Sequence, residues 1–288
     1  MKKISLNSIF IFLLLFGLIT SCSEEESPLV DDMEQSEGDN DPSGDDSDDG
    51  TGSDDSGNDD SGSDTGDDGN GEGTGGDSGG NCEPQDEIIL EADGYVLAEI
   101  ERNAYSDPWE IENVEPNFSG EGYIVWTGTQ YLGNPGNGLT TFKILISNPG
   151  TYEFVWNTSV TIGSSGTDHN DTWLRFPDAD DFFAQNGGSV VYPHGSGKSP
   201  NPAGAGSDGW FKVYRSGNDL SFKWQAYTFD NNPHKIYVTF NSAGEYTMEI
   251  SARSSGHAID KFVLFQDSYS LGDVTGEGTA DSEVSCGN

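Results

Sequence analysis

From residue 82 onward, the chain is a succession of short alternating segments separated by turn residues. Apolar side chains occupy every second position in "TTFKILIS", "TYEFVWNTSV", "HKIYVTF" and "YTMEISA". A period of two places those side chains on one face of a β-strand. Gly, Pro and Asn clusters such as Asn148-Pro149-Gly150 separate the segments, and no stretch combines a helical period with caps. The pattern predicts an all-β fold, an antiparallel β-sandwich of the jelly-roll type, over residues 82–288.

The segment before that domain has a different composition. Residues 23–81 hold 22 Asp or Glu, no Lys or Arg and no aromatic residue. Such a segment buries too little apolar surface to offset its ordering entropy, so residues 22–81 are predicted to form a disordered acidic tether. Calcium loading by this segment is the alternative, but "DGNGEGTGGDSGG" holds no regular ligand spacing.

The first 21 residues read as a signal peptide. Lys2 and Lys3 precede the apolar run "IFIFLLLFGLIT", which is too short for a transmembrane helix. The run ends in Ile19-Thr20-Ser21-Cys22, which resembles the lipobox of bacterial lipoproteins, where the cysteine carries the lipid. Together with the acidic "SEEE" that follows, this resemblance implies a lipid-anchored protein on the surface of the outer membrane. A plain signal peptide with an incidental cysteine is the alternative.

The remaining cysteines bracket the predicted domain. If Cys22 is lipidated, Cys82 and Cys286 form an even pair in an oxidising compartment. We therefore expect a disulfide that joins the two ends of the domain.

The charge of the domain excludes one class of partner. Residues 82–288 hold 29 acidic and 10 basic residues, a net charge of −19. A domain without a broad basic patch is not expected to bind nucleic acid. The charge is compatible with a neutral glycan, a cationic glycan, or an acidic glycan bridged by calcium.

Four motifs occur in the order of a known family. "VLAEIE", "SGEGYIVWTG", "ISNPGTYEFVW" and "AGEYTMEISARSSGHAIDKFVLF" resemble the jelly-roll carbohydrate-binding modules of the family 6 and 35 type. The resemblance covers about 170 residues. The chain departs from the family in an insertion-like stretch between Asp178 and Asp208, and in Glu-Ile-Glu where the family has a small central residue.

Three acidic residues are candidate calcium ligands. Glu99 and Glu101 lie two apart on a strand and project to one face. Asp260 is expected to share a strand face with Phe262 and Leu264, which should be core, where a lone carboxylate is costly. Carboxylate oxygens are the ligands that Ca²⁺ prefers, and in the family the matching positions bind a structural calcium. The alternative places both glutamates in solvent and pairs Asp260 with Arg253 or Lys261.

Aromatic side chains in loops are candidate sugar platforms, because flat rings match the apolar faces of sugars. Asn170 lies in an oxygen-rich loop that could bond hydroxyls, and His257 falls at the loop where the family places a polar ligand residue. Each ring taken alone could instead anchor its loop in the core. The candidates for carbohydrate binding are Trp109, Tyr131, Asn170, Trp210, Trp224 and His257.

Catalysis has little support in the sequence. The four histidines show no metal-binding spacing, and no GxSxG motif occurs. The sequence therefore predicts a surface lipoprotein that binds polysaccharide for a neighbouring outer-membrane transporter or hydrolase and is not itself an enzyme. A small polysaccharide-degrading enzyme and a structural or adhesive protein without glycan specificity are the alternatives.

Overall fold

Short strands make up most of the regular structure in residues 82–287, the part of the chain that this computed structural model describes. The strands are β1 (Glu87–Leu90), β2 (Tyr95–Glu99), β3 (Trp109–Glu112), β4 (Tyr123–Trp126), β5 (Thr140–Ile146), β6 (Gly150–Val160), β7 (Asp171–Arg175), β8 (Asp181–Asn186), β9 (Ser189–Val191), β10 (Gly206–Ser207), β11 (Trp210–Tyr214), β12 (Lys223–Trp224), β13 (Lys235–Phe240), β14 (Gly244–Ser251), β15 (His257–Gln266) and β16 (Val284–Cys286). A short 3-10 turn, Pro84–Asp86, precedes β1, and one short helix, α1 (Leu271–Thr275), follows β15.

The strands form two sheets. The first has seven strands in the order β10-β11-β7-β14-β5-β1-β16. The second has nine: the order β3-β4-β15-β6-β13-β8-β9, with β12 paired to β6 and β2 paired to β15. Among the described pairs only β1 and β5 run parallel. The predicted all-β antiparallel sandwich is confirmed.

The core lies between the sheets and contains the predicted faces of the strands. In β6 the inward residues Tyr152, Phe154 and Trp156 are all buried, as are the inward residues of β5 and β13. Phe154 lies within aromatic contact of Trp156 and of Phe262 from β15. The period of two in the sequence therefore identified the core side of these strands correctly.

Asp260 in β15 does not follow the alternation that the sequence predicted. The register between β15 and β6 shifts between Ile259 and Lys261, which marks a β-bulge. The bulge lets the Asp260 carboxylate accept hydrogen bonds from the Asn157 side chain at 2.8 Å and the Ser119 amide at 2.9 Å. The expectation that Asp260 shares the core face of Phe262 is therefore wrong.

The ends of the domain are joined as predicted. Cys82 and Cys286 form a disulfide with 5.4 Å between their Cα atoms. The residues that follow Cys82 lead into β1, which pairs with β16 in the register Glu87 to Cys286. The bridge thus closes the edge of the seven-stranded sheet.

The predicted signal peptide, the predicted lipidation site Cys22 and the predicted acidic tether of residues 22–81 lie outside the described residues. Within residues 82–287 no helix is long and apolar enough to cross a membrane.

Candidate functional site

An open groove of about 1290 Å³ lies on the outer face of the nine-stranded sheet. Four of its residues come from adjacent strands at one level of the sheet. Phe265 of β15 stands opposite Glu153 of β6, and Glu153 stands opposite Tyr237 of β13. Tyr237 in turn stands opposite Phe183 of β8. We refer to these four residues as the cross-strand row.

The register explains why the cross-strand row faces outward. Tyr237 lies between Ile236 and Val238, which point into the core and are fully buried. Because side chains alternate along a strand, Tyr237 must point to the opposite face. Phe265 is 5% exposed, so the accessible part of the row runs from Glu153 to Phe183; with strands about 4.8 Å apart, its two intervals span about 10 Å.

The middle of the groove holds a stacked aromatic pair. The rings of Phe183 and Tyr237 lie 5.5 Å apart at an interplanar angle of 19°, and both side chains are half-buried. Tyr192 extends the aromatic surface beyond Phe183, with ring centres 6.4 Å apart. The two rings are nearly parallel and together offer apolar area of the kind that a sugar face requires.

Polar groups stand directly beside these rings. Lys235 Nζ lies 2.8 Å from a carboxylate oxygen of Glu153, and the Tyr237 hydroxyl donates to the same carboxylate at 3.4 Å. Burial and the charge of Glu153 raise the pKa of Tyr237, so its hydroxyl keeps its proton. Gln185 and Gln225 also line the groove. The site therefore combines flat apolar area with fixed donors and acceptors, which is the chemistry of a sugar-binding site.

The structure places two of the predicted platform aromatics in the interior. Trp109 is 4% exposed, packs edge-on against Trp126 and donates from Nε1 to the Gly138 carbonyl at 2.7 Å. Trp210 is 3% exposed and lies under the Arg175 guanidinium, 4.4 Å from the ring centre. Buried rings present no face to a sugar, so the expectation for Trp109 and Trp210 is wrong. Both residues anchor loops, the alternative that the sequence left open.

Tyr131 and Trp224 are half-buried. Tyr131 packs on Trp126 with ring centres 6.0 Å apart. Trp224 lines a small depression of about 190 Å³ together with Asn157 and Lys261. A sugar-binding role for Tyr131 and Trp224 stays a prediction, and neither ring belongs to the groove.

The two predicted polar ligand residues, His257 and Asn170, are buried and already form hydrogen bonds inside the domain. His257 is fully buried, and its Nδ1 lies 2.8 Å from Thr172 Oγ1. Burial, together with the charge of Arg215, lowers the pKa of His257 to about 3, so the ring is neutral. Asn170 is 8% exposed and donates from its side chain to the Arg215 carbonyl. His257 therefore cannot orient a hydroxyl as expected, and the Asn170 amide is already bonded.

The three predicted calcium ligands converge on one loop. Ser119 Oγ lies 3.1 Å from Glu99 Oε2 and 3.2 Å from Asp260 Oδ2. A Cβ added to Gly120 would come within 2.3 Å of Glu101 Oε1 and 2.9 Å of Glu99 Cδ, so both carboxyl groups pack against this glycine. Gly120 has φ +64°, a conformation that suits glycine.

The electrostatics of this acidic cluster (Glu99, Glu101 and Asp260) are unfavourable without a cation. Burial, with the neighbouring carboxylates, raises the pKa of Glu101 from 4.5 to about 7, and Glu101 Oε2 is buried without a hydrogen-bond partner. Burial also raises the pKa of Glu99, although Lys261 pairs with it at 2.8 Å, and the pKa of Asp260. The free oxygen of Glu101 and the hard-oxygen chemistry of the set fit Ca²⁺.

The positions of these carboxylates do not by themselves form a calcium site. Among residues 82–287, no three His, Cys, Asp or Glu side chains are placed so that they could hold a metal ion together. One oxygen of Glu99 is taken by Lys261, and both oxygens of Asp260 accept hydrogen bonds. A cation would thus need a shift of these partners or additional backbone ligands, and the calcium site stays a prediction.

Sequence reasoning missed the cross-strand row. The available signal was a large aromatic or charged residue on the solvent side of a strand, such as Tyr237 in "HKIYVTF" and Glu153 in "TYEFVW". Phe183 gave no such signal, because the two consecutive phenylalanines of "DDFFAQ" do not show which one faces outward. Only the strand pairing shows that Glu153, Tyr237 and Phe183 are neighbours.

No protein-family profile and no curated protein matches the chain. Solved structures are similar to it at low identity. CBM35 from Cellvibrio japonicus Abf62 is 13% identical with a TM-score of 0.36, over 67% of this chain and 98% of that one. A Xyl-CBM35 solved in complex with a glucuronic acid containing disaccharide is 14% identical with a TM-score of 0.35, over the same shares.

The Podospora anserina GH26-CBM35 β-(1,4)-mannanase is 17% identical with a TM-score of 0.35, over 60% of this chain. This chain spans 28% of the length of that enzyme. At such identities and TM-scores the likeness does not bear on what this chain binds, which depends on its own residues.

Proposed function

We propose that residues 82–288 form a non-catalytic polysaccharide-binding domain whose binding site is the groove on the nine-stranded sheet. The main support is the cross-strand row, in which the stacked rings of Phe183 and Tyr237 lie beside the Glu153 carboxylate. The Lys235 ammonium and the side-chain amides of Gln185 and Gln225 line the same groove. Such a combination lets sugar rings pack on Phe183 and Tyr237 while their hydroxyls bond to Glu153 and Lys235.

The charge of the site narrows the ligand class. Glu153 lies in the middle of the row and Asp267 lines the same groove. The domain as a whole has a net charge of −19. Anionic polysaccharides are therefore repelled, and we expect a neutral glycan to be preferred.

The anchoring of this domain is part of the same proposal. The lipobox-like sequence at Cys22 supports a lipid anchor in the outer membrane, and the acidic composition of residues 22–81 supports a tether that presents the domain at the cell surface. A captured polysaccharide would then lie near an outer-membrane glycan transporter or hydrolase. We further propose that Ca²⁺ bound at Glu99, Glu101 and Asp260 stabilises the domain.

Affinity electrophoresis of the full chain tests the binding proposal. The gels contain neutral plant and algal polysaccharides in one set and anionic polysaccharides in another. We expect retardation in at least one neutral gel, lost on Tyr237→Ala and on Phe183→Ala. Each substitution removes a stacking surface worth about 1–3 kcal/mol for a buried aromatic contact, or roughly tenfold or more in affinity.

Tyr131→Ala serves as the control, because it removes a half-buried aromatic outside the groove. Loss of binding in this variant alone would move the site to the loops. Uniform migration of the wild-type chain in every gel would favour the structural or adhesive alternative. Release of reducing ends or of an unsaturated product from a retained polysaccharide would instead show a degrading enzyme.

A further inference from the structure

A second depression, of about 500 Å³, lies beside the end of the groove. Its lining includes Lys212, Tyr214, Asp230 and Asn231. None of these four residues belongs to the groove, the acidic cluster or the disulfide. The depression is built by the end of β11 and the two residues after it, by the loop that precedes β13, and by Thr167, Asn170 and Asp171 at or just before the start of β7.

The depression repeats the polar constellation of the groove. In β13 the sequence Lys235-Ile236-Tyr237 places a lysine and a tyrosine on the outer face, and Lys235 pairs with Glu153. In β11 the sequence Lys212-Val213-Tyr214 likewise places a lysine and a tyrosine on the outer face of a sheet, here the seven-stranded one.

In that second set, Lys212 pairs with Asp230, and its Nζ lies 5.5 Å from the centre of the Tyr214 ring. In both places a lysine and a tyrosine two residues apart on one strand lie beside a carboxylate from another segment. The Asp230 side chain is 49% exposed, whereas Lys212 is held at the base of the depression with 8% of its surface exposed.

The groove and the depression meet at one residue. Ser216 lines both of them, and its amide donates to Gln225, which lines the groove, at 2.6 Å. Tyr227 of the groove and Tyr214 of the depression exchange backbone hydrogen bonds at 2.8 and 2.9 Å, and their ring centres lie 6.3 Å apart. A ligand that extends from the groove past Tyr227 would have to cross Ser216 and turn toward the outer face of the seven-stranded sheet to reach the depression.

We propose that the depression is a second sugar-binding site, which takes the continuation of a polysaccharide chain whose first part lies in the groove. This inference rests on the proposed function. Lys212, Asp230 and Asn231 supply hydrogen bonds to hydroxyl groups, and Tyr214 is too buried, at 9% exposure, to act as a stacking platform. The protein thus recognises the interior of a long neutral chain, with affinity that rises with chain length.

Calorimetric titration of the full chain with a disaccharide and a hexasaccharide of the retained polysaccharide tests this proposal. The variants are Asp230→Asn and Asn231→Gly. Asn231 has φ +61°, so glycine keeps the backbone conformation while removing the amide. The matched control is Asp208→Asn, the same chemical change at an aspartate that lines neither the groove nor the second depression.

We expect each variant to weaken hexasaccharide binding by about tenfold, the loss of one hydrogen bond to a charged or well-ordered group, and to leave disaccharide binding within about twofold. Asp208→Asn should change neither. Hexasaccharide affinity equal to the wild type in both variants would overturn the second site.

Two further results separate this inference from the proposed function. Tyr237→Ala should weaken the binding of both oligosaccharides, because the groove holds the shorter ligand. If Tyr237→Ala has this effect and the Asp230 and Asn231 variants have none, the groove stands and the second site fails. If the wild-type chain binds no glycan at all, both fail.

Discussion

Glu101 makes the stability of the domain depend on pH. The residue is 7% exposed, and burial raises the pKa of its carboxyl group from 4.5 to about 7. Folding therefore favours the protonated form. The unfolded chain ionises this group above pH 4.5 while the folded chain keeps it neutral until about pH 7, so stability falls as pH rises through this window.

The magnitude follows from the size of the shift. A difference of about 2.5 pKa units corresponds to about 3 kcal/mol. For a domain of this size, that free energy shifts the melting temperature by roughly 6–12 °C. The raised pKa values of Glu99 and Asp260 act in the same direction.

Thermal unfolding in EDTA at pH 5 and pH 8 measures the effect. We expect the wild-type chain to melt at a lower temperature at pH 8, and Glu101→Gln to show a smaller difference because glutamine does not titrate and only Glu99 and Asp260 still contribute. Glu121→Gln, on the exposed part of the same loop, is the control and should behave as the wild type. An equal pH dependence in Glu101→Gln and the wild type would refute the reasoning.

Calcium should stabilise the folded domain, as protonation does, because either one neutralises the buried carboxylates. A cation that binds the ionised carboxylates stabilises the folded state by about 2.7 kcal/mol at a hundredfold excess over its Kd. We expect calcium to raise the melting temperature of the wild type at pH 8 and to have little effect on Glu101→Gln. A wild-type melting curve that is the same in calcium and in EDTA would contradict the calcium site.

Two other variants test what the disulfide and the buried Trp210 ring contribute to the stability of the domain. Replacing Cys82 and Cys286 by serine removes a crosslink between residues 204 apart in the sequence. This should lower the free energy of unfolding by up to about 5 kcal/mol in a denaturant titration. A change below about 1 kcal/mol would show that the bridge does not constrain the unfolded chain. Trp210→Ala should cost about 3–5 kcal/mol of stability, because the ring is buried under Arg175. If Trp210→Ala keeps the wild-type melting temperature and loses glycan binding, the ring is a binding surface after all.

Local pattern was enough to identify the fold class. The period of two in β5, β6, β13 and β14 is a property of neighbouring residues, and it identified both the strands and their core faces. The disulfide between Cys82 and Cys286 followed from the parity of the cysteines. Glu99 and Glu101 both pack against Gly120, but β2 ends at Glu99 and Glu101 lies in the turn that follows, so the alternation of a strand is not what brings them together.

Tertiary structure decided the candidate sites. Whether an aromatic in a Gly-rich loop faces solvent depends on where the loop folds back, and Trp109 and Trp210 fold into the interior. His257 was assigned to a loop, but it begins β15 and points into the core. The groove required the register of four strands, because Phe183, Glu153, Tyr237 and Phe265 are far apart in sequence and meet only through cross-strand pairing. Alternation along one strand can be read from the sequence, whereas the set of strands that lie beside it is determined by the packing of the whole domain.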